Sequence, residues 1–209
     1  ACGYRLLDGA ASYGNEREVG QAIADVINEG VVTREELWVV SKLPNTHHCW
    51  HGDSHRPAKA LAKTLDDLQL SSLDLYLMHW PIAIEQEDVK AAGGQRLTDT
   101  HEPNPKLNLE IEYLDTWREM VALKEQDLVK HIGVANFTMA QLMDLLAQYP
   151  DCPPEVNQVE LHPYLAQPEM MNMCREKGIA LMAYSPLGSG DGHFGASFPK
   201  RGKGAFECA

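Results

Sequence analysis

Short apolar runs of strand length recur along the chain. They fall at Tyr4-Arg5-Leu6-Leu7-Asp8, Leu37-Trp38-Val39-Val40, Leu75-Tyr76-Leu77-Met78, Ile132-Gly133-Val134, Val156 to Leu161, and Ile179-Ala180-Leu181-Met182-Ala183. Several are β-branched or aromatic, which marks them as strands. Between them apolar residues take helical spacing, as at Val19, Ile23, Val26 and Ile27, then Leu61, Leu65 and Leu68. Thr138 with Gln141 three residues on is a capping-box signature, and Met139, Leu142, Leu145 and Leu146 behind it read as core. Pro168 and Gly178 bracket a further helix. The strands recur about every 35 residues, the length of one βα unit, so the pattern predicts about six units. Parallel strands joined by crossover helices build an open doubly wound sheet or a closed eight-stranded barrel, and periodicity does not choose between them. A barrel of eight such units takes roughly 280 residues, about two units more than this chain holds.

Composition narrows the partners. The 209 residues are 44% apolar, enough for one sizeable core. Acidic residues number 30 against 18 basic, a formal charge of −12, which argues against nucleic acid as a partner. No apolar run approaches the roughly 18 residues of a membrane span, and the N-terminus lacks a signal pattern, so no membrane association is expected. The 5 cysteines are scattered and form no Cys-x-x-Cys pair, which reads as reduced thiols in a cytoplasmic protein. The chain does not open on methionine, and further residues are expected upstream.

Residues able to do chemistry cluster at the predicted strands' C-terminal ends: Asp8, Lys42, His79, Asn136 and Tyr184, with Tyr13 in the loop after the first strand. In parallel α/β architectures that edge is where active sites are built. Strand ends also face water, so any one polar residue there is unremarkable, and the group carries the argument. A lysine paired with an aspartate stabilises a nearby tyrosinate, so that the hydroxyl gives up its proton more readily, and a neighbouring imidazole orients a carbonyl oxygen. Such a set suits protonation of the oxyanion formed when hydride reaches a carbonyl, and hydride requires a cofactor.

The run Gly3-Tyr4-Arg5-Leu6-Leu7-Asp8-Gly9-Ala10, with Tyr13-Gly14-Asn15-Glu16 and Val19-Gly20, closely resembles the first signature of the aldo-keto reductase family. Ser41-Lys42-Leu43 with Asn45-Thr46-His47-His48, and Leu73 to Pro81, resemble the next two strand ends. Lys130 to Phe137, Val156 to Glu160, and Ala183-Tyr184-Ser185-Pro186-Leu187-Gly188 are similar to three later blocks, in the family's order. The likeness spans about residues 3–190.

The resemblance implies an α/β (β/α)8 TIM-barrel fold, here incomplete, and NADPH-dependent reduction of an aldehyde or ketone. Residues 1–190 would be the barrel domain, and the glycine-rich, basic stretch 191–209 a flexible tail. By the same analogy Tyr13 is the general acid, Lys42 eases its proton release, Asp8 pairs with Lys42, and His79 orients the carbonyl. Asn136 and Gln158 would bond the nicotinamide carboxamide, Tyr184 would stack on its ring, and Ser185, Leu187 and Ser189 would line the pyrophosphate path. Trp80 and parts of segment 81–109 would wall the substrate. A complete barrel of this kind would be monomeric.

Some positions depart from the family pattern. Ala135 stands where the family has a serine, which removes one cofactor hydrogen bond worth about 0.5–1.5 kcal/mol. Pro44 replaces an aromatic of the substrate pocket. The predicted strands match the family's second to seventh. The eighth carries the basic residues that hold the adenosine 2′-phosphate, so NADH is not excluded. Six strands without their neighbours leave two open edges, which invites self-association and reads as a fragment, a truncated product or a mispredicted gene model. The alternative is a catalytically inactive member of the family that binds nucleotide or a protein partner.

Other readings carry less. His47, His48, Cys49, His51 and His55 are dense enough to suggest zinc, but they share a loop with Gly52 and Pro57, and no metal is expected. Gly188-Ser189-Gly190-Asp191-Gly192 lacks the spacing of a phosphate loop. No Tyr-x-x-x-Lys occurs to suggest a short-chain dehydrogenase. Lys42 as a Schiff-base lysine is disfavoured by the adjacent Asp8, which would keep it charged.

Overall fold

The computed structural model describes residues 3–50, 55–84 and 107–188. Six of its strands, β1 (Leu6–Asp8), β2 (Trp38–Leu43), β3 (Leu73–Met78), β6 (Val129–Ala135), β7 (Val156–Glu160) and β8 (Ala180–Tyr184), form one sheet. They pair in parallel in chain order, with Lys42 opposite Leu77, Leu77 opposite Gly133 and Ala135 opposite Gln158. Two further two-residue strands, β4 (Ala83–Ile84) and β5 (Leu107–Asn108), pair antiparallel after β3 and were not foreseen. The helices are α1 (Glu16–Asn28), α2 (Arg56–Leu68), α3 (Tyr113–Glu125), α4 (Met139–Gln148) and α5 (Pro168–Lys177).

Local chemistry sets the boundaries. Thr138 and Gln141 form the predicted capping box at α4, and α5 runs from Pro168 to a left-handed cap at Gly178, φ 71°. β2 runs past its apolar residues to include Ser41 and Lys42, because both side chains are paired inside the fold. β1 begins only at Leu6, although the Trp38 N–H still donates to the Arg5 carbonyl. In α4, Leu142 and Leu145 are fully buried as expected, whereas Met139 is exposed because its side chain lies at the mouth of a surface cavity.

Two features select a barrel wall over a doubly wound sheet. Apolar residues of all five helices, among them Ile23, Leu61, Trp117, Leu142 and Met170, join a single cluster with Val39, Tyr76, Ile132 and Val134 of the strands. Strand residues alone, Val40, Leu75, Leu77 and Ala135, make the cluster on the opposite face. One face is therefore helix-covered and the other is closed by the sheet's own curvature. The Gln158 amide of β7 also donates to Asp8 of β1 at 3.1 Å across that inner face. Four strand spacings separate β1 from β7, roughly 19 Å if the sheet were flat, so the bond requires a strongly curled sheet.

Two glycines permit close approach, one between helices and one within the wall. A Cβ on Gly20 of α1 would lie 2.5 Å from the Asp67 carbonyl oxygen and 2.7 Å from Leu68 Cα of α2. A Cβ on Gly133 would meet the Val156 carbonyl oxygen at 2.6 Å and Leu77 Cδ2 at 2.8 Å. At the strands' N-terminal pole, buried Asp74 accepts from the Val39 N–H (2.9 Å), Arg34 (2.8 Å) and Lys130 (2.7 Å). Burial raises the Asp74 pKa, but the hydrogen bonds from Lys130, Val39 and Arg34 outweigh it and hold the carboxyl below its ordinary value.

Gly20→Ala is expected to lower stability by about 1–3 kcal/mol through backbone overpacking, read as a reduced urea midpoint at unchanged slope. The depressed Asp74 pKa contributes stability that is present above the unfolded value of about 4 and is lost as pH falls through the folded one. Asp74→Asn should therefore lower stability at neutral pH and flatten its decline on acidification, measured by denaturant unfolding across the acid range.

Candidate active site

The C-terminal ends of the strands converge on the concave side of the wall. Lys42 is 1% exposed, and its Nζ donates to Asp8 Oδ1 at 2.7 Å and to the Gly9 carbonyl at 2.9 Å. Burial lowers the lysine's pKa, and Asp8, by charge and hydrogen bond, opposes the shift. The other Asp8 oxygen accepts from Gln158 Nε2, so the carboxylate joins a strand on either side of the concave face.

Tyr13 ends a short 3-10 turn, Ala11–Tyr13, that closes on Gly14 in the left-handed region, φ 68°. Its ring stands 5.2 Å from Lys42 Nζ and meets the His79 ring edge-on at 6.1 Å between centroids. The tyrosine is 55% exposed, which leaves the phenol at the mouth while its lysine neighbour is buried. His79 follows β3 directly, with its N–H donating to the Leu43 carbonyl.

A second group adjoins the first. Asn136 takes φ 63°, which turns the chain sharply at the end of β6, and its Nδ2 donates to the His79 carbonyl at 3.0 Å. Tyr184 Oη donates to Asn136 Oδ1 at 3.0 Å. Burial, Glu160 and Tyr13 all raise the Tyr184 pKa, so its hydroxyl stays protonated. Beyond β8 the backbone passes through Ser185 at φ 48° to exposed Leu187 and Gly188. Ser189 and the stretch 191–209 lie outside the described residues.

Trp80 and Asn136 line a cavity of about 530 Å³ with Phe137, Val159, Gln167 and Met170 among its walls. Much of segment 81–109 lies outside the described residues. In the described part of the histidine-rich segment, His48 and the Cys49 N–H meet the Thr116 hydroxyl of α3, and His47 meets Thr46. Burial pushes the Cys49 thiol up to about 12. Among the described residues no three metal-ligating side chains come together, while His51 lies outside them. Beyond quoting it within the family signature, sequence reasoning gave no role to Glu16, a buried carboxylate three residues after Tyr13. Its type and place, an acid opening an amphipathic helix, match an ordinary solvated first-turn residue.

The aldo/keto reductase family profile matches residues 1–192. The chain belongs to that family. It is 48% identical over 188 residues to aldose reductase B of Dictyostelium discoideum, covering 90% of this chain and 58% of that one. It is 46% identical over 194 residues to aldo-keto reductase family 1 member A1 of Sus scrofa, covering 90% of this chain and 55% of the other. Among solved structures, the Bombyx mori aldo-keto reductase in complex with NADP superposes with a TM-score of 0.78 at 37% identity, over 94% of this chain and 57% of that one. The aldose reductase of Giardia lamblia gives 0.79 at 37% identity, over 90% and 58%. The chain thus spans a little over half the length of these relatives, and its six parallel strands are part of a (β/α)8 aldo/keto reductase barrel. Among the described residues no helix is long and apolar enough to cross a membrane.

Asn136→Gly is expected to lose the side-chain bonds to His79 and Tyr184, about 1–2 kcal/mol, and Asn136→Ala to add left-handed strain of about 1–2 kcal/mol. Denaturant unfolding should rank the alanine variant below the glycine variant.

Proposed function

We propose that the site reduces a small aldehyde or ketone to the alcohol with NADPH, Tyr13 serving as the general acid. The observation that carries this reading is the Tyr13–Lys42–Asp8–His79 arrangement, in which a buried ammonium lies beside an exposed phenol. The donor set suits a nicotinamide: the amides of Asn136 and Gln158 match a carboxamide's donor and acceptor, and the Tyr184 ring beside them offers an apolar face. Relatives bound to NADP support the same choice. Ser185 and Leu187, with Ser189 after them, would follow the phosphates. NADPH, when bound, supplies hydride to the carbonyl carbon.

The protein's own groups perform the rest. His79 hydrogen-bonds the carbonyl oxygen and turns it toward Tyr13, while Trp80 walls the pocket with apolar surface. Charge developing on that oxygen draws the phenolic proton of Tyr13. The Lys42 ammonium stabilises the resulting phenolate, which in water would be too basic to form readily near neutral pH. Asp8 and the Gly9 carbonyl hold the ammonium in place.

The test is NADPH oxidation by the 209-residue chain with an aromatic aldehyde, beside its Tyr13→Phe variant. Turnover should fall at least about a hundredfold in the variant, with NADPH affinity retained. Equal turnover in both would remove Tyr13 from the role, and NADPH binding without turnover in either would favour a binding protein.

A further inference from the structure

Glu16 is the buried carboxylate that the reduction chemistry leaves unused. It opens α1 three residues after Tyr13 and is 7% exposed. Its Oε1 accepts from Ser41 Oγ at 2.6 Å, and its Oε2 from Thr64 Oγ1 of α2 at 3.1 Å. Ser41 immediately precedes Lys42 on β2 and points to the helix side, as Lys42 points to the concave side. The carboxylate therefore links the segment carrying the phenol to the residue next to the ammonium. Tyr13 and Lys42 belong to different elements.

Burying a carboxylate costs several kcal/mol unless hydrogen bonds and favourable charge offset it. Here two hydroxyls and the N-terminus of α1 do so. Burial nevertheless raises the Glu16 pKa; the hydroxyls of Ser41 and Thr64 oppose it, Asp67 adds to it and Lys63 reduces it. Tyr76 of β3 lies within its field, since the Glu16 charge adds to the burial that raises the Tyr76 pKa. An apolar side chain here would avoid this cost but would form no bond to Ser41 or Thr64. A hydrogen-bonded bridge fixes register where apolar contact does not.

We propose that Glu16 is a positioning residue, whose bridge to Ser41 sets the distance between the Tyr13 phenol and the Lys42 ammonium. This inference rests on the reductase reading, in which that distance controls how readily Tyr13 yields its proton. Ground lost at that spacing is costly, because ion–phenolate stabilisation declines steeply over the first few ångströms in a partly buried site.

The experiment compares Ser41→Ala, Glu16→Ala, Glu16→Gln and Thr64→Val in the 209-residue chain. Three readouts are taken: thermal melting, steady-state kcat and KM with NADPH and an aromatic aldehyde, and Tyr13 ionisation. The last is the near-ultraviolet titration of each protein minus that of its Tyr13→Phe counterpart, and needs no turnover. Ser41→Ala and Glu16→Ala should move Tyr13 ionisation to higher pH and lower kcat about tenfold, with KM for NADPH unchanged. Glu16→Gln, which still bonds both hydroxyls, should restore both readouts. Thr64→Val touches the same carboxylate from α2 and should alter melting alone. If Ser41→Ala and Thr64→Val lower melting alike while Tyr13 ionises as in the parent, Glu16 is a structural clamp and the proposal is overturned. Absence of turnover in the parent chain would overturn the reductase reading, and the Tyr13 titration would still decide the role of Glu16. Should Glu16→Ala fail to fold, Ser41→Ala removes one hydroxyl and carries the same decision.

Discussion

A lysine ammonium held almost wholly out of water must be neutralised on the spot, and that constraint organises the concave side of this wall. Lys42 has Asp8 and the Gly9 carbonyl within 3 Å of its Nζ. Asp8 is in turn tied to Gln158 on the far side of the curl. On that face β1, β2 and β7 are tied to one another by a charge and its hydrogen bonds, beside a small apolar cluster of Val40, Leu75, Leu77, Ala135 and Val156. Removing either partner would leave a buried charge uncompensated, a loss of about 3–5 kcal/mol in typical proteins. The pair thus serves the curvature of the sheet and the acidity of its neighbour with the same contacts.

Around this pair the structure divides its labour by side-chain parity. On β2, Val39 and Ser41 face the helices while Val40 and Lys42 face inward, and the ladder partners on β3 repeat the alternation. One strand therefore presents an apolar core residue, a hydroxyl for Glu16 and the site's ammonium within four successive positions. A shift of register by one residue would exchange all of these at once, which is why the bonds at Ser41 and Lys42 bear on the fold as much as on the chemistry.

Much of this was legible in the chain. The six parallel strands and four helices follow from apolar spacing, capping boxes and helix-ending glycine, all local signals. The convergence of Asp8, Tyr13, Lys42, His79, Asn136 and Tyr184 follows from their common place at or just after strand ends, once the strands are taken as parallel, whereas Gln158, in the middle of β7, was implied only by the family resemblance. Spacing could not distinguish a barrel from an open sheet, because both bury their strands on two faces, and that choice depended on the Asp8–Gln158 contact between residues far apart in sequence. The β4–β5 pair is too short to show alternation. Glu16 was given no role because a burial that depends on Ser41 and Thr64 from two other elements leaves no trace in its own neighbourhood. Met139 misled for the opposite reason, since helical spacing marks a stripe but not where that stripe ends at the rim.

The glycine at position 133 has a consequence for traffic. By yielding its side-chain volume to Leu77, it lets the inner layer fill solidly at the level of Lys42, and Leu77 is wholly inaccessible to solvent. The interior has a floor. Among the described residues, a molecule that reaches the Tyr13 phenol therefore meets packed side chains beneath it rather than a passage.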